Sequence, residues 1–155
     1  MVEDGDKAPD FEVPTDGGGT LKLSRLRGKP VVLYFYPKDD TSGCTAEAKD
    51  FSRLAADFGA AGAEVIGVSP DGVESHRKFR RKYDLAIKLA ADADKAVARA
   101  YGVWVEKSMY GRTYMGVERS TFLIDSEGRI ARSWRKVKVP GHAEEVLAAA
   151  RALVP

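Results

Sequence analysis

Residues 29–37 read KPVVLYFYP, an uninterrupted apolar, β-branched and aromatic run closed by proline. A strand with one wet face alternates polar and apolar residues, so a run without alternation predicts a strand covered on both faces. AEVIGVSP, residues 63–70, repeats the pattern. A sheet buried on both sides needs helices above and below it, which points to an α/β architecture.

The stretches between these runs read as helices. In CTAEAKDFSRLAADFG (44–59), Phe51, Leu54, Ala55 and Phe58 recur at helical spacing, and Gly59 is the expected C-cap. DGVESHRKFRRKYD (71–84) opens on Asp71 as the expected cap, with Glu74 three residues on, and puts Phe79 and Tyr83 on one buried face. DKAVARAYG (94–102) and HAEEVLAAARAL (142–153) complete the helices. RSTFLIDSEG (119–128) and RIARSW (129–134) read as an antiparallel hairpin, and DFEVPTDGGGTLKLSRL (10–26) as two short strands about a glycine turn.

The expected fold is therefore a central mixed β-sheet flanked by helices, with an N-terminal β-hairpin, and the length fits a single domain over residues 1–155. VWVEKSMYGRTYMGV (103–117) shows no period and reads as a long loop, a candidate wall or lid for a site. Its Trp104, Met109, Tyr110, Tyr114 and Met115 suit either an apolar wall or ordinary packing.

With 25 basic against 23 acidic residues, composition gives no reason to expect a nucleic-acid or anionic-membrane partner. The basic run HRKFRRKY (76–83) reads as the solvated face of a helix. One cysteine excludes an intramolecular disulfide, and His76 and His142, the only histidines, give no metal-ligand spacing, so neither a metal nor a cofactor is expected. The first residues, MVEDGDKAPDFEV, are acidic without an apolar stretch, and no window could span a bilayer. A cytoplasmic location is expected.

The lone Cys44 stands where a buried strand has ended and a helix begins. Open α/β folds place ligand sites there. In the first turn the backbone N–H groups lack intrahelical partners and the macrodipole is positive, so a thiolate is favoured over a thiol. A core cysteine is expected to share the Phe51, Leu54 and Phe58 stripe, whereas Cys44 is flanked by polar DDTSG and TAE. The expectation is a reactive cysteine at a polar helix start. Cys-x-x-Cys exchange is excluded because residue 47 is Glu47. A Cys-His hydrolase needs an imidazole nearby, and His76 and His142 both read as solvated surface positions.

YFYPKDDTSGCTAEAKDF contains Pro37-x-x-x-Thr41-x-x-Cys44, and together with GDKAPDF (5–11) and GVERSTFLID (116–125) it resembles the peroxiredoxins, in particular their bacterioferritin-comigratory, or Q-type, branch. The resemblance runs over nearly the whole chain. It implies a thioredoxin-like fold and thiol-dependent reduction of hydroperoxides. It also implies Cys44 as the peroxidatic cysteine, Thr41 as the hydroxyl bonding the peroxide, and Arg119 as the donor to thiolate and peroxide oxygen. Pro37 would shield the site, and the backbone N–H groups of Gly43 and Cys44 would complete it.

Two departures stand out. Ser42 replaces a proline common before the active-site glycine, and Lys49 stands where many Q-type relatives carry a resolving cysteine. The resemblance then implies a one-cysteine mechanism, closed by an external thiol: thioredoxin, glutaredoxin or a small thiol. A monomer is expected, with a dimer as the alternative. A cysteine-based redox sensor without turnover and a Cys-His hydrolase stay open as other readings.

Overall fold

The computed structural model describes residues 2–153. Strands β1 (Glu12–Pro14) and β2 (Thr20–Lys22) form the N-terminal hairpin. β3 (Val31–Phe35) leads to helices α1 (Ser42–Arg53) and α2 (Ala55–Ala60), and β4 (Glu64–Ser69) leads to α3 (Val73–Tyr83). β5 (Lys88–Ala91) and α4 (Ala96–Ala100) follow, then β6 (Trp104–Met109), β7 (Arg112–Val117), β8 (Ser120–Ile124), β9 (Ile130–Trp134) and α5 (His142–Ala152). The central sheet has the order β5-β4-β3-β8-β9. β3, β4 and β5 are parallel, while β8 runs antiparallel to β3 and β9 to β8. This is the expected mixed sheet.

All five residues of β3 are buried because each face of the sheet is covered. Val32, Tyr34 and Tyr36 point into one apolar cluster with Phe51 and Phe58 of α1 and α2, Phe79 of α3 and Val146 of α5. Val31, Leu33 and Phe35 point into the other, with Leu21 of β2, Val97 of α4 and Tyr101. The period of two along β3 thus feeds two cores. No helix among the described residues is long and apolar enough to cross a membrane.

Several elements depart from the sequence expectation. The helix over 44–59 is broken at Leu54 (φ −96°, ψ 4°), and nothing in the local sequence marks that break. Gly59 lies inside α2 and is no cap; the chain turns at Gly62, where φ is +78°. Gly72, not Asp71, occupies the N-cap of α3. Residues 104–117 form no loop but the β6–β7 hairpin, closed by Tyr110 and Gly111, both at positive φ. That two-residue turn needs positive φ twice, for which Tyr-Gly is a weak signal beside Asn-Gly. Much of the hairpin is also exposed on both faces, Met109, Tyr110, Tyr114 and Met115 included, so no alternation betrays it. The short strand β5 was absent from the sequence reading.

One glycine sets a contact beneath the candidate site. Gly67 of β4 pairs with Tyr34 of β3, and a Cβ there would lie 2.7 Å from Tyr34 Cζ. Gly67→Ala should therefore displace the buried phenol and cost about 1–3 kcal/mol, read as a lower denaturation midpoint. An unchanged midpoint would show that the ring has room to retreat.

Candidate active site

The chain leaves β3 through Tyr36, whose N–H bonds the Val68 carbonyl at 3.0 Å, and crosses residues 37–41 to the start of α1. Thr41 is the extended N-cap, and the first helical bond runs from the Thr45 N–H to the Thr41 carbonyl at 2.8 Å. The N–H groups of Gly43 and Cys44 consequently have no intrahelical acceptor. Cys44 sits in this first turn as expected.

Its side chain, however, is 1% exposed and belongs to the core cluster, which corrects the polar setting expected for it. Cys44, Glu47, Ala48 and Phe51 are the buried residues of α1, spaced three, four and seven apart along one face. A carboxylate in the middle of that face hides the stripe from a reading based on apolar residues.

Arg119, between β7 and β8, reaches this face from across the sheet. Its Nη2 donates to Cys44 Sγ at 3.3 Å and its Nη1 to Glu47 Oε1 at 2.6 Å. The planar fork thus holds the sulfur and the carboxylate at once. A Cβ on Gly43 would stand 3.2 Å from Arg119 Nη2, so glycine at 43 admits the guanidinium. Thr41 is exposed and its Oγ1 donates to the Lys38 carbonyl at 2.8 Å, which leaves the hydroxyl lone pairs free to accept. Pro37 is half-buried beside them in sequence.

Glu47 was missed by sequence reasoning. It is 1% exposed, its Oε2 has no partner among the described residues, and burial pushes its carboxyl up to about 7 against the opposing pull of Arg119. Between 4.5 and about 7 the folded chain keeps a proton that the unfolded chain has lost, so this residue makes stability fall as pH rises, by about 3 kcal/mol. His142, lowered by burial to about 4, acts oppositely between that value and 6.5. Glu47→Gln should therefore gain stability from pH 4.5 to 6.5 more steeply than the parent. Parallel curves in denaturant titrations would mean that Glu47 is already ionised in that range.

Both histidines are buried, not solvated. His142 Nε2 pairs with Thr121 Oγ1 at 2.8 Å, and its ring packs edge-on against Phe51 and Trp134. His76 bonds Asp39 and the Ala90 carbonyl. Among the described residues Arg119 alone bonds the Cys44 sulfur, so the Cys-His pair of a hydrolase is not formed.

Residues 5–133 match the AhpC/TSA family model. The chain belongs to that family, the peroxiredoxins. This peroxiredoxin is 52% identical to peroxiredoxin Bcp of Bacillus subtilis over 146 residues, 94% of this chain and 93% of that one. It is 51% identical to a putative peroxiredoxin of Coxiella burnetii, over 94% and 97% of the two chains. A solved structure of peroxiredoxin Q from Xanthomonas campestris superposes with a TM-score of 0.90 at 46% identity, covering 98% of this chain and 96% of that one. The fold is accordingly the thioredoxin-like fold of peroxiredoxins, and the protein is a thiol-dependent peroxidase.

Within this peroxiredoxin, Lys49 is exposed on α1, near the Tyr83 ring. Lys107 of β6 is half-buried, and burial followed by the charge of Arg119 lowers its ammonium below the usual lysine value. It was not singled out from the sequence, where it lay in the apparent loop.

Proposed function

We propose that the enzyme reduces hydrogen peroxide and organic hydroperoxides by a one-cysteine mechanism, with Cys44 as the peroxidatic residue. The observation that carries this reading is the Arg119 fork bonded to the only sulfur nucleophile in the chain, at a helix start. The Cys44 thiolate attacks one peroxide oxygen, an S–O bond forms, and the O–O bond breaks. Sulfur loses two electrons to become sulfenic acid, and the departing oxygen takes a proton to leave as water or alcohol. Arg119 and the N–H groups of Gly43 and Cys44 donate to the oxygen that gains charge. Thr41 accepts the peroxide O–H, and Pro37 limits water. A structure of the Xanthomonas bacterioferritin comigratory protein, 45% identical to this chain, is described in terms of alkyl peroxide reduction, which favours organic hydroperoxides here too.

With no second cysteine and Lys49 five residues on, the sulfenic acid must be met by an outside thiol. Its sulfur displaces water to give a mixed disulfide, which a second thiol then reduces. Thioredoxin, glutaredoxin or a small thiol fits that role, in a monomeric enzyme. A cycle that consumes thiols belongs in the cytoplasm, where they are kept reduced.

Intact-mass spectrometry provides the test. One equivalent of hydroperoxide should add a single oxygen at Cys44, and adding a thiol should replace it with that thiol's adduct. Rapid conversion to a covalent dimer would mean that a second copy's Cys44 resolves the first. Failure of a hydroperoxide and a thiol to turn over together would leave a sensor.

A further inference from the structure

Helix α3 grips the loop between β3 and α1 from inside the molecule. Loop residue Asp39 is buried, and three groups converge on its carboxylate. Tyr36 Oη donates to Oδ1 at 2.5 Å, Ser75 Oγ donates to Oδ2 at 2.8 Å, and His76 Nδ1 lies 2.7 Å from Oδ2. The Asp39 backbone N–H donates to Asp71 Oδ2 at 2.8 Å. On the far side of the imidazole, His76 Nε2 lies 2.9 Å from the Ala90 carbonyl of β5. His76 has no exposed surface.

Counting protons fixes the state of this pair. A carbonyl only accepts, so Nε2 carries a hydrogen. Burial keeps the Tyr36 phenol neutral, and its one proton goes to Asp39. A bare Nδ1 would set its lone pair against a carboxylate oxygen at 2.7 Å, so a proton lies between them. Both carboxylate oxygens already accept from hydroxyls, and the hydrogen bond and charge of Asp39 raise the imidazole, so the proton is placed on the ring. Asp39, Asp71 and His76 do bring ligand-type atoms within 4.8 Å of one another. Those atoms are occupied by hydrogen bonds to each other, to Ser69 and to Ser75, which makes a network and not an ion cage.

We propose that His76 is a positioning residue of the peroxidase reaction: its doubly protonated ring ties Asp39, and with it the loop bearing Pro37 and Thr41, to α3 and β5, and loss of that proton releases the loop. The proposal rests on the role given above to that loop. Asp40, next in the chain, sits at φ 60° in the left-handed region, a conformation that persists only when its surroundings hold it. A second clamp on it, from Lys82 Nζ and Tyr83 Oη of α3, is exposed and correspondingly weak. The buried clamp is the stronger one. Without the shared proton a net negative charge remains in the interior and two lone pairs face each other.

The groups facing the ring are Asp39 from the loop, Tyr36 from the end of β3, Asp71 from the turn after β4 and the Ala90 carbonyl from β5. Burial pulls the imidazole down, but the hydrogen bond and charge of Asp39, with Ala90 and Asp71, outweigh it and hold His76 above the ordinary 6.5. The clamp is therefore complete below 6.5 and is lost as pH rises through the raised value.

Nitrogen-15 NMR of the parent protein should show both His76 ring nitrogens protonated at neutral pH, with one proton leaving at higher pH. Exchange of the Asp39 amide should quicken over the same range. In His76→Gln, kcat/KM for hydrogen peroxide should drop about ten- to a hundredfold, as expected when reacting groups are misplaced by about 1 Å. Alkylation of Cys44 by iodoacetamide should change little, and the alkaline fall in kcat/KM caused by loop release should vanish. A singly protonated His76 at neutral pH overturns the proposal. So does a variant with the parent's kcat/KM profile, or one in which alkylation falls as far as peroxide reduction, which would indicate general damage. Absence of hydroperoxide turnover in the parent protein would instead refute the proposed function, and the NMR titration would still decide the state of the pair.

Discussion

Cys44→Ser should show no measurable hydroperoxide turnover with any thiol, while its stability stays within about 1 kcal/mol of the parent. A hydroxyl is not ionised at neutral pH and cannot supply the nucleophile, whereas the thiol in this chain is the only such group. The fold tolerates the change because Arg119 Nη2, 3.3 Å from the sulfur, can donate to a serine oxygen placed there. Burial of Cys44 makes that partner necessary, since a hydroxyl with no partner in the core would cost about 1–3 kcal/mol. The measurements are thiol oxidation driven by hydroperoxide and a denaturation curve. Residual turnover at even a hundredth of the parent rate would remove Cys44 from the centre of the mechanism.

Arg119→Lys should lose about a hundred- to a thousandfold in kcat/KM although the charge is kept, the scale seen when one oxyanion donor is removed from a site. The guanidinium contacts Cys44 and Glu47 through two nitrogens fixed in one plane. A single ammonium cannot span both, and the buried Glu47 draws it from the sulfur. Steady-state kinetics with hydrogen peroxide would read this directly, with kcat for the peroxide step falling together with kcat/KM because the donors act on charge that develops in the transition state. A lysine variant within a few-fold of the parent would mean that the helix start alone carries the stabilisation.

The chemistry and the architecture were legible in the chain. KPVVLYFYP announced a strand with no wet face, and the helix stripe at Phe51 and Phe58 announced what covers it, because burial on a fixed period leaves its mark on neighbouring residues. Pro37, Thr41, Gly43 and Cys44 lie within one short segment, so their proximity is a property of the sequence. Arg119 was legible only through its motif, since the bond it makes to Cys44 depends on β8 lying antiparallel to β3.

What the sequence left open was decided by pairings between distant segments. His76 and His142 look like surface residues beside their charged neighbours, and they are buried because Asp39, Ala90 and Thr121, all far along the chain, supply partners for their ring nitrogens. Glu47 looks like an exposed helix residue until Arg119 meets it. The β6–β7 hairpin carries no alternation because neither face is wholly buried. A sequence records which residues shed water as a local rhythm; which polar group answers a buried charge is a relation between segments, and only the tertiary structure fixes it.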